Sequence, residues 1–155
     1  MFKAGGLAGH GQVVVDGLFQ GRRAIAREIN THFPVDPSAV DAVVLSHAHI
    51  DHAGRLPFLT RQGYTGTVFA TPATRDLCAI MLADSAYIQE KDVEFLRRHG
   101  RDAIEPLYTQ EDVPALMRQM VGVPYDQEFS VAPGIKARFV EAGHILGSAS
   151  VVLDC

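Results

Sequence analysis

The sequence predicts an α/β protein: a mixed β-sheet with helices on its outer face and a metal site at the ends of the strands. Two short continuous apolar runs, Asp41–Ser46 (DAVVLS) and Thr67–Ala70 (TVFA), read as strands buried on both faces of such a sheet. The second run leads into a long segment of helical spacing. The first delivers the chain into His47-Ala48-His49-Ile50-Asp51-His52, a cluster of metal-binding side chains at a strand end.

Gln12–Val15 is apolar and β-branched and ends in Asp16-Gly17, a strand leaving into a turn. Arg22–Asn30 carries Ile25 and Ile29 at helical spacing and stops before Pro34. A short helix is expected over Gly54–Arg61. Thr71-Pro72 then opens a helix reaching about Arg98, because proline suits a first turn that has no use for its missing N–H. Within it Leu77, Ile80, Met81, Leu82, Tyr87 and Ile88 recur at three- and four-residue spacings, which predicts core packing for all of them. A further helix is expected from Thr109, with Asp112 as its capping partner, through Met120. Phe129–Val131, Ile135–Ala142 and Ser148–Leu153 read as strands, the first two joined by a Pro133-Gly134 turn. No repeat or Pro/Ser-rich linker interrupts the 155 residues, so residues 1–155 are expected to form a single domain.

The chain is 47% hydrophobic and 21% charged, which excludes the disordered, fibrous and membrane classes. Residues 1–12 lack the apolar stretch of a signal peptide and no later stretch approaches a membrane span, so a cytoplasmic location is expected. Cys78 and Cys155 are then expected to be free thiols. The net charge of −4 lacks the overall basic footprint common among nucleic-acid binders. A metal pair, or basic residues clustered by the fold, can still supply positive charge locally.

In extended backbone, side chains two apart share a face, so His47 and His49 project together and can grip one metal. As the chain turns, Asp51 and His52 are free to face a second point nearby. Imidazole with a carboxylate suits Zn²⁺, and similar ligands tolerate Mn²⁺ or Fe. The first metal needs a third ligand. His144 is the best candidate, because Gly143 and Gly147 beside it let the backbone approach a metal centre closely. His10, His32 and His99 read as surface or loop histidines. Arg97, Arg98 and Arg101 read as complements to a helix dipole, and Arg22 and Arg23 as solvated helix surface.

The stretch SHAHIDHAGRLP at Ser46–Pro57 resembles the HxHxDH signature of the metallo-β-lactamase fold, and AGHILGS at Ala142–Ser148 resembles the motif carrying its next histidine. Three further stretches resemble the β-CASP subgroup of RNA-processing nucleases: DGLFQGRR at Asp16–Arg23, ATPATRDL at Ala70–Leu77 and DSAYIQEKD at Asp84–Asp92. The resemblance implies a zinc-dependent ribonuclease in which His47, His49 and His144 hold one zinc and Asp51 and His52 begin a second site. It further implies that a hydroxide shared by the metals attacks an RNA phosphodiester in line, with Asp51 orienting it. Asp16 matches an acidic position that supports the ligands rather than binding metal.

The sequence also departs from that pattern. The aspartate that bridges the two metals in the family lies one strand beyond AGHILGS, past the end of this sequence, and Asp154 is not expected to replace it. No inserted β-CASP domain is expected within residues 1–155. The chain is therefore expected to be the first part of such a domain, with one metal or none as alternatives to two, and its activity is left open. Two other readings follow: a thioesterase- or lactamase-type hydrolase on the same fold, and a non-catalytic fragment that self-associates through an exposed strand edge. The segment around DSAYIQEKD argues against the first.

Overall fold

The computed structural model describes residues 12–16, 30–100 and 105–154. The turn after Asp16, the helix expected over Arg22–Asn30 (apart from Asn30 itself), His10, Arg101 and Cys155 lie outside the described residues.

Strands β1 (Val13–Val15), β2 (Ala42–Val44), β3 (Thr67–Ala70) and β4 (Met120–Gly122) form a parallel sheet in that order. Strands β5 (Glu128–Ala132), β6 (Ile135–Glu141) and β7 (Ala149–Asp154) form an antiparallel meander. Parallel and antiparallel pairing are thus both present, divided between two sheets. Helices α1 (Ile50–Ala53), α2 (Leu56–Arg61), α3 (Pro72–Arg98) and α4 (Val113–Gln119) complete the described elements, with a 3-10 turn over Pro37–Ala39.

Period-two alternation along β2 sorts the core into two layers. Val43, and Leu45 just beyond the strand, join Val68, Leu56, Cys78, Leu82 and Leu116 on the helix side. Ala42 and Val44 join Val13, Ala137 and Phe139 between the sheets. A strand between two apolar layers has no polar face, which is why Ala42–Val44 reads as an uninterrupted apolar run. In β6 only one face is covered: Ile135, Ala137 and Phe139 are buried while Lys136 and Arg138 are exposed. The rings of Phe69, Phe129 and Phe139 tie the sheets together at centroid spacings of 5.0 and 5.1 Å.

Helix α3 keeps its expected bounds. The Thr71 hydroxyl accepts from the Thr74 N–H, Pro72 occupies the first turn, and Gly100 beyond the last turn adopts φ +76. Thr74, Cys78, Leu82, Ala86 and Val93 form its buried face. The expectation that its whole apolar set packs inward is corrected: Ile80, Tyr87 and Ile88 lie on the opposite side and are exposed. Spacings of three and four gather residues onto a stripe without telling which stripe meets the sheet.

Helix α4 begins at Val113 rather than Thr109. Asp112 does reach back to Thr109, its carboxylate accepting from the Thr109 N–H at 2.8 Å, but the turn between them is not helical. At the other end Met120 already belongs to β4, a strand concealed in the sequence by following the helix without a break.

Candidate metal centre

The chemistry-bearing residues gather where β1 and β2 end and where the β6–β7 turn returns to them. Each carbonyl of a parallel edge needs a donor, and Asp16 supplies one: its N–H donates to Val44 O at 3.0 Å. Its backbone takes φ +60, a left-handed conformation that aspartate tolerates better than most side chains. The carboxylate is thereby returned towards the next turn of chain. Oδ1 accepts from Ser46 N at 2.8 Å, and Oδ2 lies 2.9 Å from Ser46 Oγ and 2.8 Å from His52 Nδ1.

The proton assignments follow from the contacts of this carboxylate. Its oxygens only accept, so Ser46 Oγ donates to Asp16 and must itself accept from His47 Nδ1, 2.8 Å away. Both His47 and His52 then carry their proton on Nδ1 and keep the Nε2 lone pair for a ligand. Burial, followed by the neighbouring His52 and His49, holds the His47 imidazole below its ordinary pKa of 6.5, which favours the neutral form a metal requires.

His144 comes from a clamped turn. Ser148 Oγ accepts from the His144 and Ile145 N–H groups at 3.0 and 3.1 Å, and Tyr125 donates its hydroxyl proton to Ser148 O at 2.9 Å. Gly147 O accepts from the hydroxyls of Thr71 and Thr74 at 2.6 and 2.9 Å, fixing the turn to the N-terminus of α3. The Ala149 N–H donates to Ser46 O at 2.8 Å, tying the turn to the residue before His47. Gly147 is needed for this contact with α3: at φ +80, a Cβ there would lie 2.6 Å from Thr74 N and 2.8 Å from Thr71 Oγ1. Its close approach is therefore to a helix end. Gly143 keeps the positive φ, +64, with open space beside it.

The ligand nitrogens of His47, His49 and His144 all lie within 4.8 Å of one another, and His144 Nε2 is 3.2 Å from His49 Nδ1. Two nitrogens bound tetrahedrally to one Zn²⁺ at about 2.0–2.1 Å would stand roughly 3.3 Å apart. The donor set therefore fits one divalent ion. The His52 ring lies 4.1 Å from the His47 ring, tilted by 47°, and its Nε2 lies 3.6 Å from the exposed carboxylate of Asp51. All six residues singled out in the sequence, Asp16, His47, His49, Asp51, His52 and His144, are thus brought together. Ser46, Thr71, Thr74, Tyr125 and Ser148 were not singled out. Their contacts reach across the fold, and a serine or threonine carries no sequence mark of such a partner.

Beside the His144 turn lies an open depression of about 400 Å³ lined by Pro72, Pro124, Tyr125, Glu141 and Leu146. No described helix is long and apolar enough to cross a membrane.

Comparison with known proteins places this geometry. The metallo-beta-lactamase superfamily profile matches residues 8–71. Ribonuclease TTHA0252 of Thermus thermophilus is 38% identical over 149 residues, covering 94% of this chain and 30% of its own length. Transcription termination factor FttA of Thermococcus kodakarensis is 34% identical over 122 residues, covering 78% of this chain and 17% of its own. The chain thus spans under a third of these relatives. Among solved structures, a subclass B3 metallo-beta-lactamase from a soil metagenome library superposes with a TM-score of 0.52 at 20% identity, over 95% of this chain and 48% of that one. At that identity the likeness speaks for the fold alone.

Proposed function

Starting from a chain that carries a metallo-β-lactamase domain with relatives in the β-CASP RNA-processing family, we propose that it contributes the zinc site of a metal-dependent ribonuclease. The observation that carries this reading is the His47, His49 and His144 cluster, three imidazole nitrogen donors converging from two motifs about 95 residues apart. Three imidazoles suit zinc better than a hard cation such as Mg²⁺, which prefers oxygen. Asp51 and His52 would begin a second position. Bound zinc would supply positive charge against the phosphodiester oxygens and an activated water at neutral pH.

The chain's own residues have the remaining tasks. Asp16 holds His52 directly and His47 through Ser46. The Thr71, Thr74 and Ser148 hydroxyls hold the turn that presents His144. Asp51, with 67% of its side chain exposed, is free to accept a proton from water or to orient it. RNA as substrate rests on what the relatives' names say of them, and a cytoplasmic setting goes with it. Residues 1–155 act in this reading as one lactamase-type unit. Self-association through a strand edge is retained, β7 being unpaired on its outer side among the described residues.

Incubating zinc-loaded protein with single-stranded RNA, a thioester and a β-lactam tests the reading. Cleavage of RNA alone, abolished in His47→Ala, is expected. Turnover of the thioester or lactam without RNA cleavage would replace it with the other hydrolase reading.

A further inference from the structure

The outward face of α3 remains unexplained by the metal site. Ile80, Tyr87, Ile88 and Phe95 are 71%, 49%, 51% and 61% exposed, a large apolar presence on one helix. They form two ridges at four-residue spacing, each an apolar residue, a charge and an apolar residue: Ile80-Asp84-Ile88 and Tyr87-Lys91-Phe95. Together the ridges cover about 22 Å of helix.

These ridges are complementary to each other in reverse. Ile80 and Phe95, Asp84 and Lys91, and Ile88 and Tyr87 are each equidistant from the midpoint between residues 87 and 88. A two-fold axis at that midpoint lays one ridge against the other, placing Asp84 opposite Lys91 twice and apolar residues against apolar residues elsewhere. Other registers lose this match. A parallel pairing, or an antiparallel one centred on residue 84 or 91, sets aspartate against aspartate or lysine against lysine. Lys91 lies over the Tyr87 ring at 5.7 Å and pairs with Glu94 at the surface, an exposed ion pair of a kind that costs little to exchange for another.

We propose that α3 mediates a two-fold symmetric dimer of this chain, packing antiparallel against α3 of a second copy about the point between Tyr87 and Ile88. An isologous contact needs one self-complementary patch, and this face provides it. One helix pair is a small interface, so the dimer is expected to be concentration-dependent, with a dissociation constant on the order of micromolar to tens of micromolar. The proposal is independent of the metal site and names a different surface from the β7 edge.

Sedimentation velocity of the full chain across that concentration range tests it, with circular dichroism confirming that each variant is folded. Asp84→Lys and Lys91→Asp should each weaken the dimer about tenfold or more, because the axis repeats every change twice. The double variant, which restores opposite charges across the axis, should return within about threefold of the original. Val152→Lys on β7 should leave the Asp84- and Lys91-dependent dimer constant unchanged, any association through the β7 edge being a separate contact. A chain monomeric throughout the range would overturn the proposal. So would a dimer indifferent to both single substitutions, a double variant as weak as the singles, or dissociation by Val152→Lys alone.

Discussion

Asp16 Oδ2 lies 2.8 Å from His52 Nδ1, joining the end of the first strand to the last histidine of the HxHxDH motif. The same oxygen receives the Ser46 hydroxyl that fixes His47, so one carboxylate orients two prospective ligands.

Asp16→Asn tests that arrangement. Asparagine tolerates the left-handed backbone at φ +60, so the fold should persist, but the amide lacks the charge and one acceptor oxygen. Zinc affinity is expected to fall about 10- to 100-fold, measured by competition with a chelating dye. Asp16→Ala should lose affinity similarly and cost additional stability through backbone strain.

Gly147→Ala should be more damaging than a surface substitution. The added carbon would stand 2.6 Å from the Thr74 nitrogen at a backbone φ of +80. A loss of at least about 2 kcal/mol in denaturant unfolding is expected, with reduced metal content as the His144 turn moves.

Phe139→Ala tests the layer between the sheets. Phe139 is fully buried there, and its removal should cost about 3–5 kcal/mol by the same unfolding measurement.

Cys78 offers a test in pH. Burial pushes its thiol from 9.0 up to about 12, so native protein should resist alkylation at pH 8 while unfolded protein reacts. In a Cys155→Ser background this reads as no modified thiol before denaturation and one after. The sign for stability follows: the unfolded thiol ionises first, so this contribution is complete below pH 9 and is lost progressively between about pH 9 and 12.

Much of this architecture was legible in the sequence, for reasons visible in single residues. Thr71-Pro72 marks the start of α3 because capping is a local interaction, and β2 is readable because burial on both faces leaves no polar position. His47, His49 and His144 were readable because imidazoles at strand ends have few other uses in combination. What escaped depended on distant partners. Whether Ile80 or Cys78 met the sheet was invisible to a periodicity shared by both, and β4 was masked by the helix running into it. The Thr71 and Thr74 hydroxyls meet Gly147 O across more than 70 residues, a contact that only the folded chain reveals.

Metal content by plasma mass spectrometry, for zinc-reconstituted wild type, His144→Ala and the double variant His47→Ala with His49→Ala, tests the central claim most directly. One or two zinc ions per wild-type chain, with a clear loss in His144→Ala and none retained in the double variant, is the predicted result. Folded wild type that retains no zinc, or variants that retain as much as wild type, would contradict it.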